Sequence, residues 1–181
     1  SEMRTKAKAV NFGIIYGISD FGLARGIKIS RKEAAKFIES YFHHYKGVKE
    51  FLDAAVEKAR EDGYVTTILN RRRYLPDLQS KNVPRRKFAE RTAMNTPLQG
   101  TAADIIKLAM VDMAKKLKAR NLRTQMILQV HDELVFDVPE DELREVAELV
   151  RDTMENAVAL DVPLKVDLSV GKNWLELEDF T

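Results

Sequence analysis

Arg4-Thr5-Lys6-Ala7-Lys8-Ala9-Val10-Asn11-Phe12-Gly13-Ile14-Ile15-Tyr16-Gly17 is the most informative stretch of the chain. From Met3 to Tyr16 there is no proline, few breakers precede Gly13, and Gly17 supplies a C-terminal stop, so a helix is expected. Within it Arg4, Lys8, Phe12 and Tyr16 recur every fourth residue. They form a slowly spiralling stripe about 18 Å long at ~1.5 Å per residue, close to the reach of a nucleoside triphosphate. Two cations at one end suit phosphate oxygens, Arg as a bidentate fork and Lys as a point charge, and an aromatic end suits a sugar or base. The same spacing also suits a solvated basic helix whose Phe12 and Tyr16 belong to the core.

Downstream, Ser30-Arg31-Lys32-Glu33 has capping-box spacing, and Ala34, Phe37, Ile38, Tyr41, Phe42 and Tyr45 follow at helical intervals. A third helix has Val48, Phe51, Leu52, Ala55, Val56 and Ala59 on one face and ends near Gly63. Tyr64 to Leu69 reads as a short strand, and Asn70 with Arg71, Arg72 and Arg73 as a turn. Pro84 suits the first turn of a long helix running to Leu117. Pro97 lacks the donor that a helix interior needs and predicts a bend or break close to Asn95. Around it, Arg91, Asn95 and Gln99 step by four and share a face, where guanidinium and amide donors can meet the minor-groove acceptors common to every correct base pair. Such a face also suits ordinary hydrogen bonding within the protein.

Gln125 to Val138 reads as a hairpin of two buried strands with His131-Asp132-Glu133 at its tip. Asp is common in turns, yet a carboxylate held at such a tip also suits a hard cation such as Mg²⁺. Glu140 to Asn156 is an amphipathic helix and Leu164 to Val170 a last strand, so the fold class is α+β.

Composition narrows the options. The chain has 181 residues, 45% of them hydrophobic, enough for an ordinary core. No apolar run approaches the roughly 20 residues that span a bilayer, and Ser1-Glu2-Met3-Arg4 does not begin an export signal, so a cytoplasmic protein with no membrane partner is expected. No cysteine is present, which removes disulfides and cysteine zinc sites. The net charge of +2 is mild, but Arg4, Lys6, Lys8, Arg71–Arg73 and Arg85-Arg86-Lys87 concentrate cations in the first half, and acids gather from Glu140 to Glu148. No G-x4-G-K-[ST] loop occurs, which argues against a nucleotide-hydrolysing motor.

The Arg4-x3-Lys8-x3-Phe12-x3-Tyr16-Gly17 pattern closely resembles motif B, the O helix of the fingers, in bacterial family A DNA polymerases. Gln129-Val130-His131-Asp132-Glu133-Leu134-Val135 is similar to motif C of that family, and Arg91 to Thr101 to the segment between the two motifs. The resemblance implies the C-terminal share of the fingers and palm of a right-hand polymerase, with a fingers part at 1–83 and a palm part at 84–181. It implies that Arg4 and Lys8 bind the triphosphate of a deoxynucleotide, that Phe12 packs on its sugar, and that Tyr16 stacks where the new base pair forms. Phe at position 12, where some relatives carry Tyr, implies discrimination against dideoxynucleotides. Asp132 is then a metal ligand, Glu133 a second acid near the primer end, and His131 a contact to the primer terminus. Arg91, Asn95 and Gln99 hold primer-template DNA, and Arg73 with Arg71 and Arg72 contacts phosphate.

The implied cofactor is a pair of Mg²⁺ ions whose second protein ligand, in motif A, is not in this sequence. By the same resemblance the Val170-Gly171-Lys172-Asn173-Trp174 end is similar to the family terminus, and an N-terminal part of the polymerase is missing. The isolated chain is therefore expected to be inactive. A non-catalytic DNA-binding remnant and a single-subunit RNA polymerase are the alternatives. Retention of Lys8 and Asp132 argues against the first, and Phe12 with the Glu after Asp132 against the second.

Overall fold

Helix ends in the first half lie where local chemistry satisfies their orphan backbone groups. The structure, a computed structural model, describes residues 2–180. Helix α1 (Glu2–Ile15) stops as expected before Gly17, whose φ of +73° is a left-handed conformation costing an L side chain about 1–2 kcal/mol. Ser19 then caps α2 (Asp20–Ile27), its Oγ accepting from the Gly22 N–H at 3.1 Å. This helix was not anticipated from the sequence, because Gly22 and Gly26 dilute a short apolar pattern. Helix α3 (Arg31–His44) opens on the expected capping box, in which Ser30 Oγ accepts from Glu33 N at 3.2 Å and Glu33 Oε2 from Ser30 N at 2.9 Å. Helix α4 (Lys46–Asp62) ends at Gly63 as expected.

The chain divides into two compact units, Ser1–Thr101 and Ala102–Thr181, with the division falling inside the long helix α5 (Val83–Ala119). In the first unit Val56 and Ala59 of α4 pack with Val65, Leu75, Leu78, Ala89 and Ala93. A second cluster joins Leu23 and Ile27 of α2 to Ala34 of α3, with Val10 of α1 against it. Strand β1 (Tyr64–Thr66) is shorter than expected and pairs antiparallel with β2 (Arg72–Tyr74), Tyr64 opposite Tyr74. Thr67 Oγ1 ends β1 by accepting from the Leu69 and Arg71 N–H groups, both at 3.2 Å, and Asn70 turns the chain at φ +61°. Arg72 and Arg73 thus lie in a strand and not in the expected turn.

Of the expected bend or break near Pro97 the break does not occur, since α5 runs as one helix from Val83 to Ala119. A proline costs one backbone bond, here the one to the Ala93 carbonyl, and the helix continues through a packed stretch. Ala93 and Thr96 are buried, and Thr92, Thr96 and Thr101 donate their hydroxyls to the carbonyls of Phe88, Thr92 and Pro97.

In the second unit Met113 and Leu117 of α5 pack against Val146, Leu149 and Val150 of α6 (Leu143–Glu155), which follows a 3-10 turn over Glu140–Glu142. Strands β3 (Gln125–Val130) and β4 (Glu133–Asp137) form the expected hairpin, with a bulge between Met126 and Leu128. Its tip has two residues, His131 and Asp132, because Glu133 is paired with Val130. Its strands are not buried as expected, Ile127 being 59% exposed. Of the expected strand from Leu164 to Val170 only Ser169 and Val170 are paired, as no strand pairs with residues 163–168 among those described. The chain ends in a hairpin of β5 (Ser169–Asn173) and β6 (Glu176–Asp179). The described residues are thus α+β, mostly helical, with three separate two-stranded antiparallel sheets.

Glu142 joins the start of α6 to the segment after α5. Its Oε1 accepts from Arg123 N at 2.9 Å and Arg123 Nε at 3.1 Å, and its Oε2 from Thr124 N at 2.9 Å and Thr124 Oγ1 at 2.7 Å. These donors, led by the Arg123 backbone N–H, lower its carboxyl from 4.5 to about 2. A carboxyl lowered in the folded state stabilises fully above its unfolded value and loses that contribution as pH falls through the folded one. Stability should therefore drop between pH 4.5 and about 2, and Glu142→Gln should flatten that drop in denaturant titrations. A second expectation concerns Gly100, where a Cβ would lie 2.7 Å from Thr67 Cγ2. Thr67 cannot rotate away without releasing the turn, so Gly100→Ala should cost about 1–3 kcal/mol in equilibrium unfolding.

Candidate nucleotide and nucleic-acid site

Helix α1 buries one side and leaves the cation–aromatic stripe outside. Ile14 is 2% exposed and Val10 packs on the α2–α3 cluster, whereas Phe12 and Tyr16 are 45% and 39% exposed and Arg4 and Lys8 are exposed. The last three groups of the stripe are in register. Lys8 Nζ stands 5.7 Å from the Phe12 ring centroid, and the Phe12 and Tyr16 rings stack at 6.1 Å with 22° between their planes. An ammonium over a ring face followed by a second, nearly parallel ring can offer charge to an anion and an apolar wall to a sugar or base.

The sharp turn after α1 builds a floor beside Tyr16. Ile18 N donates to Gly13 O at 2.8 Å, and Gly13, Tyr16, Gly17, Ile18 and Ser19 line an open concavity of about 370 Å³ whose further wall is Arg91 of α5. The structure thus brings Tyr16 and Arg91, read separately from the sequence, to one place. Gly17 permits the approach, because a Cβ there would come within 3.1 Å of both Arg91 Cγ and Met94 Sδ. The sequence reading passed over Gly13, Ile18 and Ser19, and the N-cap chemistry of Ser19 was the signal that could have found them.

Along α5, Arg91 and Gln99 are exposed, while Asn95 between them is half-buried with a buried Oδ1 that has no hydrogen-bond partner. Arg73 Nη1 donates to Thr96 Oγ1 at 3.5 Å, so this cation points at the helix next to Asn95. Arg72 is used within its hairpin: its guanidinium lies 4.7 Å from the Tyr64 ring centroid, and bonding to Tyr74 raises its pKa above the ordinary value. Arg71 follows the Thr67 turn, its N–H donating to Thr67 Oγ1.

The β3–β4 tip belongs to the second unit. His131 takes φ +54°, and its carbonyl accepts from Gln129 Nε2 at 2.7 Å, so the tip is held by its own side chain. Asp132 and Glu133 are exposed. Their carboxylates fit Mg²⁺ in kind, being hard oxygen donors, though not in number, since Mg²⁺ takes about six oxygens. Among the described residues there is no group of three or more His, Cys, Asp or Glu able to hold a metal. No helix among them is long and apolar enough to cross a membrane.

A spiral of Arg, Lys, Phe and Tyr beside an arginine-walled concavity, in a chain with an acidic hairpin tip, corresponds to a known family, whose model, DNA polymerase family A, matches residues 1–176. The chain belongs to DNA polymerase family A. It is 56% identical to DNA polymerase I of Bacillus subtilis (strain 168) over 176 residues, covering 97% of this chain and 20% of that protein. It is 59% identical to DNA polymerase I of Caldicellulosiruptor bescii over 175 residues, covering 97% of this chain and 21% of that protein. Among solved structures it is similar to the POL domain of Pol1 from M. smegmatis in complex with DNA primer-template and dNTP, with a TM-score of 0.88 and 50% identity, covering 91% of this chain and 29% of that one. The chain therefore spans about a fifth of the length of the curated relatives it matches.

The Arg72–Tyr64 stack makes a local prediction in this family A chain. Arg72→Ala should loosen the β1–β2 hairpin, read as faster amide exchange at residues 64–74 with exchange in α6 unchanged.

Proposed function

We propose that this chain is part of a cytoplasmic bacterial DNA-directed DNA polymerase that adds deoxynucleotides to a primer 3′ end, with residues 1–83 in its fingers and 84–181 in its palm. The observation that carries the reading is the exposed register of Lys8, Phe12 and Tyr16 on the outer side of α1, with Arg4 preceding it. A solved relative was captured with DNA primer-template and dNTP, which supports nucleotide and duplex as the occupants of such surfaces.

In this reading Arg4 and Lys8 hold the triphosphate, Phe12 walls its sugar, and Tyr16 with the concavity beside it receives the new base pair. Arg91, Asn95 and Gln99 hold the primer-template through minor-groove acceptors and backbone, tested by shape and not by sequence, with Arg73 adding a phosphate contact. His131 contacts the primer terminus. Asp132, with Glu133 beside it, would hold Mg²⁺, which when bound supplies charge stabilisation to the attacking and leaving oxygens. The primer 3′ oxygen attacks the α-phosphorus and pyrophosphate leaves. The cations of α1 keep the leaving group in line, so the protein contributes positioning and electrostatics. The remaining carboxylate ligands belong to the other four-fifths of the relatives' length, and this chain alone should not extend a primer.

In the full-length enzyme, Asp132→Asn should lower kcat for primer extension on the order of 100- to 1000-fold with DNA affinity preserved. The 181-residue chain should show no extension until an upstream piece is added. Full activity of Asp132→Asn would remove the metal-ligand reading, and extension by the chain alone would remove the expectation that ligands outside it are needed.

A further inference from the structure

Helix α1 has a directional tie that no functional role above uses. The Tyr41 hydroxyl of α3 donates to Asn11 Oδ1 at 2.8 Å. Asn11 stands seven residues after Arg4, nearly in line with it along the helix (about 20° away), and one residue before Phe12. It therefore lies on the border between the packed side of α1, marked by Val10 and Ile14, and the exposed stripe. Apolar packing on the Val10 side is non-directional and tolerates a roll of the helix about its axis. A hydrogen bond at the border does not, because its strength falls steeply with angle. Tyr41 is itself fixed, its ring centroid 4.8 Å from that of Tyr45 and 5.7 Å from that of Phe42. Burial, aided by Tyr45, pushes the phenol up from its ordinary value, so it stays a protonated donor.

We propose that Tyr41 and Asn11 are positioning residues that set the roll of α1, and through Arg4, Lys8 and Phe12 the affinity for the incoming nucleotide. The inference rests on the nucleotide-holding reading of α1 given above. Neither residue touches the nucleotide; each acts through the helix that does. With the bond in place the cations and the Phe12 ring are presented together before the ligand arrives, and without it part of the binding energy is spent on orienting the helix.

The test uses full-length enzyme on a dideoxy-terminated primer-template, with Kd for the next correct deoxynucleoside triphosphate read by titration and DNA Kd read separately. Tyr41→Phe keeps the ring and its neighbours and removes the donor; Asn11→Ala removes the acceptor. Each should raise the nucleotide Kd roughly threefold to tenfold, the double variant should be no worse than either single one, and DNA Kd should not move. Lys8→Ala separates the two ideas. If it raises the nucleotide Kd while Tyr41→Phe does not, or if the two single effects multiply in the double variant, the positioning role is overturned and the nucleotide reading stands. If Lys8→Ala leaves the nucleotide Kd unchanged, the nucleotide reading of α1 is overturned and the positioning role with it.

Discussion

A helix that buries one side must present the other, and this constraint on α1 governs the first unit. Burial of Ile14 and the packing of Val10 against the α2–α3 cluster leave Arg4, Lys8, Phe12 and Tyr16 outside. With a repeat of 3.6 residues, the fourfold spacing drifts slowly enough for these side chains to stay neighbours. The stacked rings and the ammonium over Phe12 follow from that spacing. Gly17 then lets the chain turn back under Tyr16 without a side chain in the way, which is how Arg91 can form the opposite wall of the concavity.

Helix α5 is the element to which the rest of this unit is fitted. Gly100 presents bare backbone where Thr67 approaches, and Thr101 Oγ1 accepts from the Ile68 N–H at 3.1 Å, so the turn between β1 and β2 is docked on the helix. Arg73 adds a contact to Thr96 from the following strand. The threonines that dock these groups also donate to carbonyls one turn back, Thr96 to Thr92 and Thr101 to Pro97. One stretch of helix therefore supports a hairpin and carries Arg91, Asn95 and Gln99, the residues proposed to hold DNA. The second unit is organised differently, around the apolar contact of α5 with α6 and the Glu142 clamp, and its hairpin tip is ordered by Gln129 and by backbone pairing.

Local chemistry made much of this legible. The capping box at Ser30, the stop at Gly63, the end of α1 and the hairpin around Asp132 each depend on neighbours within a few residues, and each stands where the sequence placed it. Errors cluster where distant groups decide. Pro97 reads as a site of bend or break from its missing donor, yet the buried packing of Ala93 and Thr96 accompanies an unbroken helix. Leu164 to Val170 alternates like a strand, but among the described residues only Ser169 and Val170 find a partner strand, and the stretch before them has none to satisfy its backbone. Arg71–Arg73 read as a turn, whereas Arg72 and Arg73 lie in a strand, where Tyr64 and Tyr74 engage Arg72 and Thr96 engages Arg73. Helix α2 escaped notice because its two glycines weaken the helical signal, and its stability comes from burial of Leu23 and Ile27 against Ala34.

The amino-acid sequence by itself determined the stripe on α1, the polar face at Arg91, Asn95 and Gln99, and the acidic hairpin tip, because periodicity and turn chemistry are local properties of the chain. It determined the family as well, since the motifs that carry the match are short and contiguous. Only the tertiary structure decided that Tyr16 and Arg91 share a concavity, that Arg72 belongs to its own hairpin, and that Tyr41 reaches Asn11. Each of these joins residues at least eight positions apart whose meeting depends on how helices pack, and packing is decided by the summed burial of many side chains that no single stretch of sequence contains.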